Sequence, residues 1–264
     1  MINNVHPEAK IGANVVIEPF ATVHKDVVVG DGTWIGANAV LMNGTRIGKN
    51  CKIYPGSVIA GEPQDLKFKG EFSTAEIGDN TTIREYVTVN RGTAASGKLR
   101  TVVGSNTLVM SYVHIAHDCR IGSNVILAGY VGLAGELEVG DWAIIGGGAL
   151  AHQFVRIGEH AMISGGSRIG KDVPPYAIAG HEPLVYGGVN VIGLRRRGYT
   201  AAQVEKIHDV YRILYQSKLN VTQACEEIDK LPAGEERDAI LSFIRGSKRG
   251  IIRASVSGAV EMVL

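Results

Sequence analysis

The chain has 264 residues, 45% of them hydrophobic, and a formal net charge of +1 at pH 7. This length and composition suit one extended folded body plus a small second domain and exclude the disordered classes. The near-neutral balance argues against nucleic acid as the main partner, because neutralising phosphates needs a sizeable basic excess.

The amino-terminal MINNVHPEAK shows neither a basic leader nor an apolar one, and no apolar run approaches membrane-spanning length. A cytoplasmic protein without stable membrane insertion is expected. Cys51, Cys119 and Cys225 are too few and too scattered for a disulfide framework or a cysteine-type zinc site, so reduced thiols are expected.

From Val5 to Ile59 every sixth residue is branched and aliphatic. The phase resumes at Ile77, Ile83 and Val89, then runs from Val103 to Ile169 with Ala151 as the one exception. Six fits neither the helical period nor that of an ordinary strand, and such internal repetition decides the architecture. Short strands joined by tight corners account for it. Three sides close a triangular coil of about 18 residues whose inward aliphatics stack into a continuous core. Gly follows the aliphatic position at Gly12, Gly30, Gly104 and elsewhere, and Asn lies three after it at Asn14, Asn38, Asn50, Asn80, Asn106 and Asn124. Both residue types tolerate the positive φ that sharp corners demand.

Two polar stretches, 61–76 and 91–102, break the beat and are expected to loop out of the stack, where long excursions often carry function. The rhythm ends near Pro174 and Pro175, and 176–198 reads as a connection. Helical spacing follows. Thr200 is placed as an N-cap before Val204, Ile207, Tyr211, Leu214 and Tyr215, with the helix ending near Ser217; 222–231 and 235–248 read as two further helices. The chain therefore divides into a repeat body, 1–190, and a helical region with its tail, 191–264, in which 254–264 receives no assignment. Residues 195–253 hold 12 Lys and Arg against 8 Asp and Glu. This basic end is either a surface for an acidic or phosphate-bearing partner or a solvated helical face.

Positions 18 apart sit above one another at roughly 4.8 Å spacing. His117, Gly135 and Gln153 share one column, and Asp118, Glu136 and Phe154 the next. His114 and His152 fall within the same three coils. An imidazole can take and return a proton near neutral pH, and an adjacent carboxylate can orient the ring and stabilise its cation. Contact between His117 and Asp118 requires a corner, since neighbours on a strand point apart. Gly129, Gly147 and Gly165 form a column without side chains, either a trench for an extended ligand or ordinary corner glycines. Arg195, Arg196 and Arg197 suit a diphosphate or another acidic partner, or form a solvated linker.

The hexapeptide rhythm resembles that of the hexapeptide-repeat acyltransferases, which implies a mainly β fold: a left-handed parallel β-helix with a small C-terminal α-helical domain. QDLK at 64–67, HIAHDC at 114–119, AHQF at 151–154, DVPPY at 172–176, GLRRRG at 193–198 and RGIIR at 249–253 are more specific. In this order they resemble the UDP-N-acetylglucosamine acyltransferases of lipid A biosynthesis. That resemblance implies transfer of a 3-hydroxyacyl group from acyl carrier protein to the sugar 3-position, without metal or other cofactor, in a homotrimer with sites between subunits. It implies His117 as general base oriented by Asp118; His114, His152, Asp65 and Lys67 at the sugar or intermediate; Gln153, Asn190, Arg196 and Arg197 at the nucleotide; and Gly165 where side-chain size limits the acyl chain.

Two positions depart from the pattern. Glu136 stands where well-known members carry His, and Ile192 where an acidic nucleotide contact is expected. A carboxylate at 136 suits either a hydrogen bond to the usual acceptor or neighbouring subunit, or a 3-amino sugar and hence an amide product. The sister N-acyltransferases carry an extra amino-terminal uridine-binding domain, whereas these repeats begin at Val5. A zinc enzyme of carbonic-anhydrase type using His114, His117 and His152, and a non-catalytic scaffold, are the remaining readings.

Overall fold

The computed structural model describes residues 4–254. Strands of two to five residues stack into three sheets of nine, eight and eleven strands. Successive strands join the sheets in rotation as far as Arg168–Ile169, and all pairs in this body are parallel. In the first sheet His114 pairs with Gly132 and Gly132 with Leu150, giving the expected 18-residue coil. Where the excursions intervene, Val58 pairs with Thr88 and Thr88 with His114, so the stack continues beneath them.

Inside each coil the sixth-position aliphatics are sealed from solvent: Ile59, Ile83, Val109 and Leu127 are all 0% exposed. Each such side chain contributes about 1.5–3 kcal/mol of transfer free energy, and their repetition along the prism makes one continuous core.

Corner chemistry is divided between two positions. Asn14, Asn38, Asn50, Asn80, Asn106 and Asn124 all have φ between 54° and 60°, as expected. Tyr112, Asp118, Glu136, Trp142 and His160, at equivalent corners, share this left-handed backbone. Glycines directly after the aliphatic residue do not, which corrects the reason given for them. A Cβ on Gly30 would lie 2.6 Å from the carbonyl carbon of Gly48. Those glycines let the backbones of adjacent coils approach.

The excursions are shorter than the sequence indicates, spanning 62–73 and 91–99. Thr74–Ile77 and Arg100–Val103 are paired strands of the second sheet. Their small inward residues Ala75 and Thr101 and outward Glu76 and Arg100 hide the beat.

Beyond Pro175 the stretch read as a connection is ordered into Ala177–Gly180 and Val185–Val189, an antiparallel pair ending the third sheet. Helix α1, Val191–Arg196, follows; it is too short to show helical periodicity. Helix α2, Ala201–Gln216, starts at the expected Thr200 with a capping box to Gln203. Helices α3, Val221–Asp229, and α4, Glu235–Arg245, lie close to their expected spans. Tyr186 stacks on Tyr211 and Tyr215 at ring-centroid distances of 4.9 and 4.4 Å, and Tyr211 donates to the Pro175 carbonyl. These contacts bind α2 to the end of the prism. Arg253–Ala254 then returns beside the hairpin. Of the unassigned 254–264, only Ala254 is among the described residues.

Candidate active site

Three first-sheet strands, His114–Ile115, Gly132–Leu133 and Leu150–Ala151, each run into a corner, and the stacked corners bring His117, Gly135 and Gln153 together. Asp118 occupies the left-handed turn position, with φ 60°. The turn brings the Asp118 side chain alongside that of His117, and Nδ1 of His117 lies 2.8 Å from Oδ2 of Asp118.

Asp118 is held by the second excursion. The Thr93 backbone N–H donates to both carboxylate oxygens at 2.9 and 3.1 Å, the Thr93 hydroxyl donates at 2.7 Å, and the Asp118 N–H donates to Thr101 Oγ1 at 2.8 Å. Burial works to raise the pKa of Asp118, but hydrogen bonds from His117 and Thr93 together outweigh it and hold the group below the ordinary carboxylate value. The hydrogen bond to Asp118 in turn raises the pKa of His117, against the effect of burial, with smaller contributions from the charges of Asp118, Asp65 and Glu136. An ionised carboxylate therefore backs an imidazole of increased basicity.

The opposite ring nitrogen faces a cavity of about 720 Å³. Asp65 arrives from the first excursion, its Oδ2 at 3.8 Å from Nε2 of His117, while its Oδ1 accepts the Lys67 N–H at 2.9 Å. Lys67, His114 and Gln153 also line the cavity. His114 shares a 2.7 Å hydrogen bond with Thr88 Oγ1, and burial, then the neighbouring His117, lowers its pKa. Gly135 underlies the His117 ring, and its backbone N–H donates to no described residue.

Other residues singled out in the sequence do not line this cavity. His152 is exposed, with Nδ1 at 3.1 Å from the Gln153 carbonyl. Glu136 stacks above Asp118, its N–H bonded to the His117 carbonyl, but its side chain does not line the cavity. Gly165 stacks on Gly147 at the other edge of the first sheet; a Cβ there would lie 3.1 Å from the Gly147 carbonyl oxygen. Asn190 is buried as the N-cap of α1, accepting from Gly193 and donating to the His160 carbonyl. Arg196 is exposed at the end of α1, and Arg197 lies over Trp142 at the corner between the second and third sheets. His114, His117 and His152 do not converge, and the described residues contain no group of three His, Cys, Asp or Glu placed to hold a metal.

Sequence reasoning missed Thr93, Thr101 and Arg249. Thr93 sits in a Gly, Ser and Ala-rich loop with no pattern to mark it. Arg249, in the RGIIR segment, donates to the carbonyls of Gln153 and Gly170 at 3.1 Å and so fixes the corner carrying Gln153.

A three-sided parallel prism with an imidazole–carboxylate pair at one corner defines a hexapeptide-repeat transferase, and the bacterial transferase hexapeptide profile matches residues 26–61 and 100–135. The profile described as UDP N-acetylglucosamine O-acyltransferase, domain 2, matches residues 172–252. An acyl-[acyl-carrier-protein]–UDP-N-acetylglucosamine O-acyltransferase of Sulfurihydrogenibium sp. is 56% identical over 254 residues, covering 94% of this chain and 93% of its own. The crystal structure of a UDP-N-acetylglucosamine acyltransferase from Bacteroides fragilis superposes with a TM-score of 0.93 at 54% identity, covering 96% of this chain and 98% of that one. Its counterpart from Francisella novicida gives 0.93 at 37% identity, covering 99% of each chain. The chain belongs to the UDP-N-acetylglucosamine O-acyltransferase family. Membership sets aside the zinc-enzyme and scaffold readings, and the amide-forming reading that Glu136 raised.

Proposed function

We propose that this chain transfers a 3-hydroxyacyl group from acyl carrier protein to the 3-hydroxyl of UDP-N-acetylglucosamine, the first step of lipid A biosynthesis. The observation that carries the mechanism is the His117 imidazole, backed through Nδ1 by ionised Asp118 and presenting Nε2 to the cavity. In this reading Nε2 takes the proton of the sugar hydroxyl as its oxygen attacks the thioester carbonyl. The tetrahedral oxyanion is met by the unengaged Gly135 N–H. Collapse breaks the carbon–sulfur bond, and the His117 imidazolium returns the proton to the departing thiolate, so no cofactor is consumed.

In this reading Asp65 and Lys67, which line the cavity, bind the sugar, and His114 on its wall meets the sugar or the intermediate. The first-sheet face joins this corner to the Gly129, Gly147 and Gly165 column, which supports a path for the acyl chain that ends at Gly165. Gln153, which lines the same cavity, would meet the nucleotide, and His152 beside it the sugar or intermediate.

A homotrimer with sites between subunits fits this geometry. His117 lies at one corner of the prism, whereas Asn190 and Arg197 are packed at another around His160 and Trp142. In a trimer the two corners of adjacent chains would share one ligand, and Arg196 and Arg197 would reach the nucleotide bound at a neighbour's His117. Among the described residues no helix is long and apolar enough to cross a membrane, and a carrier-protein donor suits the cytoplasmic location expected from the sequence.

The test is acyl transfer by the purified protein from 3-hydroxyacyl carrier proteins of graded chain length to UDP-N-acetylglucosamine. Turnover that falls by a factor of about 10²–10⁴ in His117→Ala is expected for loss of a general base. Transfer undiminished in that variant would remove His117 from the role.

A further inference from the structure

His160 takes no part in the acyl-transfer chemistry, yet it is among the most heavily engaged side chains of the protein. It is a buried histidine at the corner between the second and third sheets. Its ring is stacked between Trp142, at 6.2 Å and 8°, and Tyr176, at 5.6 Å and 23°, with Tyr199 edge-on at 5.3 Å. Nδ1 lies 3.2 Å from Nη1 of Arg197, Nε2 lies 3.4 Å from the Tyr199 hydroxyl, and the main-chain carbonyl accepts from Asn190 Nδ2 at 2.9 Å. Arg197 itself is laid over the Trp142 ring at 5.3 Å.

We propose that His160 is a positioning residue for nucleotide binding: it fixes the guanidinium of Arg197 and, through Asn190, the start of α1, so that the arginines at the end of that helix meet the UDP-sugar phosphates in a preset arrangement. The inference rests on the reading of Arg197 as a nucleotide contact.

The hydrogen-bond chemistry allows one arrangement. A guanidinium only donates, so Nδ1 of His160 must be the acceptor, which leaves the proton on Nε2 to be given to the Tyr199 oxygen. A protonated ring could not accept from Arg197. Burial, then the charge of Arg197, pushes the pKa of His160 down to about 4, with Asp141 opposing, so the ring is neutral under physiological conditions. The other groups facing it are Tyr176, whose hydroxyl is bonded to Glu159, and Tyr199. Nε and Nη2 of Arg197 donate to no described residue and remain free for phosphate oxygens. A free arginine side chain loses much rotamer entropy when a ligand fixes it. Holding it flat on Trp142 with one amino group engaged removes much of that loss from the binding step, as preorganisation does generally.

Three variants of the full chain separate this role from a merely structural one. His160→Phe keeps an aromatic plate and suits the left-handed corner, where Phe154, Trp142 and Tyr176 are also found, but removes the acceptor. His160→Asn restores a short acceptor in a residue that the same corner accepts at Asn106 and Asn124. Arg197→Ala reports the contact itself. Steady-state kinetics with both substrates, UDP titration calorimetry and thermal melts are the readouts. His160→Phe is expected to raise the KM for UDP-N-acetylglucosamine and the Kd for UDP roughly tenfold, with kcat and the KM for the carrier-protein donor changed less than about twofold. His160→Asn is expected to recover most of the loss, and His160→Phe combined with Arg197→Ala to be no worse than Arg197→Ala alone.

If Arg197→Ala raises the UDP-sugar KM while His160→Phe leaves it unchanged, the positioning role is overturned and the nucleotide reading of Arg197 survives. If Arg197→Ala itself leaves KM unchanged, both are overturned. Parallel losses in His160→Phe and His160→Asn that track a fall in Tm overturn the positioning role in favour of general packing.

Discussion

The imidazole of His117 rests on bare backbone: a Cβ built on Gly135 would lie 2.5 Å from Nε2 and 2.6 Å from Cε1. Asp118 is bonded to the Nδ1 side of the ring, so the side on which it can give is the one facing Asp65. Gly135→Ala is therefore expected to displace the ring toward Asp65. Misplacement of a reacting group by about 1 Å costs on the order of 10² in rate. Gly135→Ala should lose about that factor in kcat while the KM for UDP-N-acetylglucosamine and the melting temperature stay close to those of the parent. Undiminished kcat would show that the ring does not work from this position.

The raised pKa of His117 fixes the direction of the pH profile. A base must be neutral to accept a proton, and the hydrogen bond to Asp118 favours the imidazolium. The acid limb of kcat/KM should then lie above the ordinary histidine value of about 6.5. Asp118→Asn removes the anion, so the limb should move down in pH while kcat falls. For stability the sign is opposite. His117 contributes most below its unfolded pKa, and that contribution is lost as pH rises through the higher folded value. An Asp118→Asn limb at or above that of the parent would contradict the assigned coupling.

How much of this could be read from the sequence depended on whether a feature was periodic. The 18-residue coil follows from one aliphatic position in six, and that period alone puts His117, Gly135 and Gln153 in one column. The left-handed corners were legible where Asn occupied them, but not at Trp142 or His160, because tertiary stacking rather than residue preference holds those. Thr93 could not be found at all. It belongs to a loop whose path follows no repeat, and its partner Asp118 is 25 positions away. The role of Asn190 as a helix cap depends on α1, which six residues could not announce.

Thr93 supplies two of the donors on Asp118, one from the backbone and one from the hydroxyl. Thr93→Val keeps the shape and the backbone donor but leaves the buried carboxylate one hydrogen bond short. Hydrogen bonds to charged groups are worth about 1.5–3 kcal/mol. A loss of that size in urea denaturation, with kcat reduced roughly tenfold as Asp118 loosens its hold on the imidazole, is the expected result. Thr93→Ser, which retains the hydroxyl, should recover most of both. Damage from Ser but not from Val would mean that the methyl group, not the hydrogen bond, is what matters at this site.

The two kinds of corner residue predict different sensitivities within one turn. Gly104 follows the aliphatic Val103, and a Cβ on it would lie 2.5 Å from the carbonyl carbon of Gly122 and 2.7 Å from the backbone nitrogen of Ser123. Both are main-chain atoms of the next coil, which cannot rotate away as a side chain can. Asn106 is held at φ 56°, where a residue other than Gly, Asn or Asp pays about 1–2 kcal/mol for its Cβ, but no coil has to move to accommodate it. Asn106→Ala should therefore lose about that amount, whereas Gly104→Ala should lose more, because stacked backbones have to separate and the sheet hydrogen bonds on either side stretch. Asn106→Gly, which relieves the strain, should cost least of the three. Urea denaturation of the variants in parallel checks the order, and a Gly104→Ala protein as stable as Asn106→Ala would show that the coils are not packed as closely as the geometry requires.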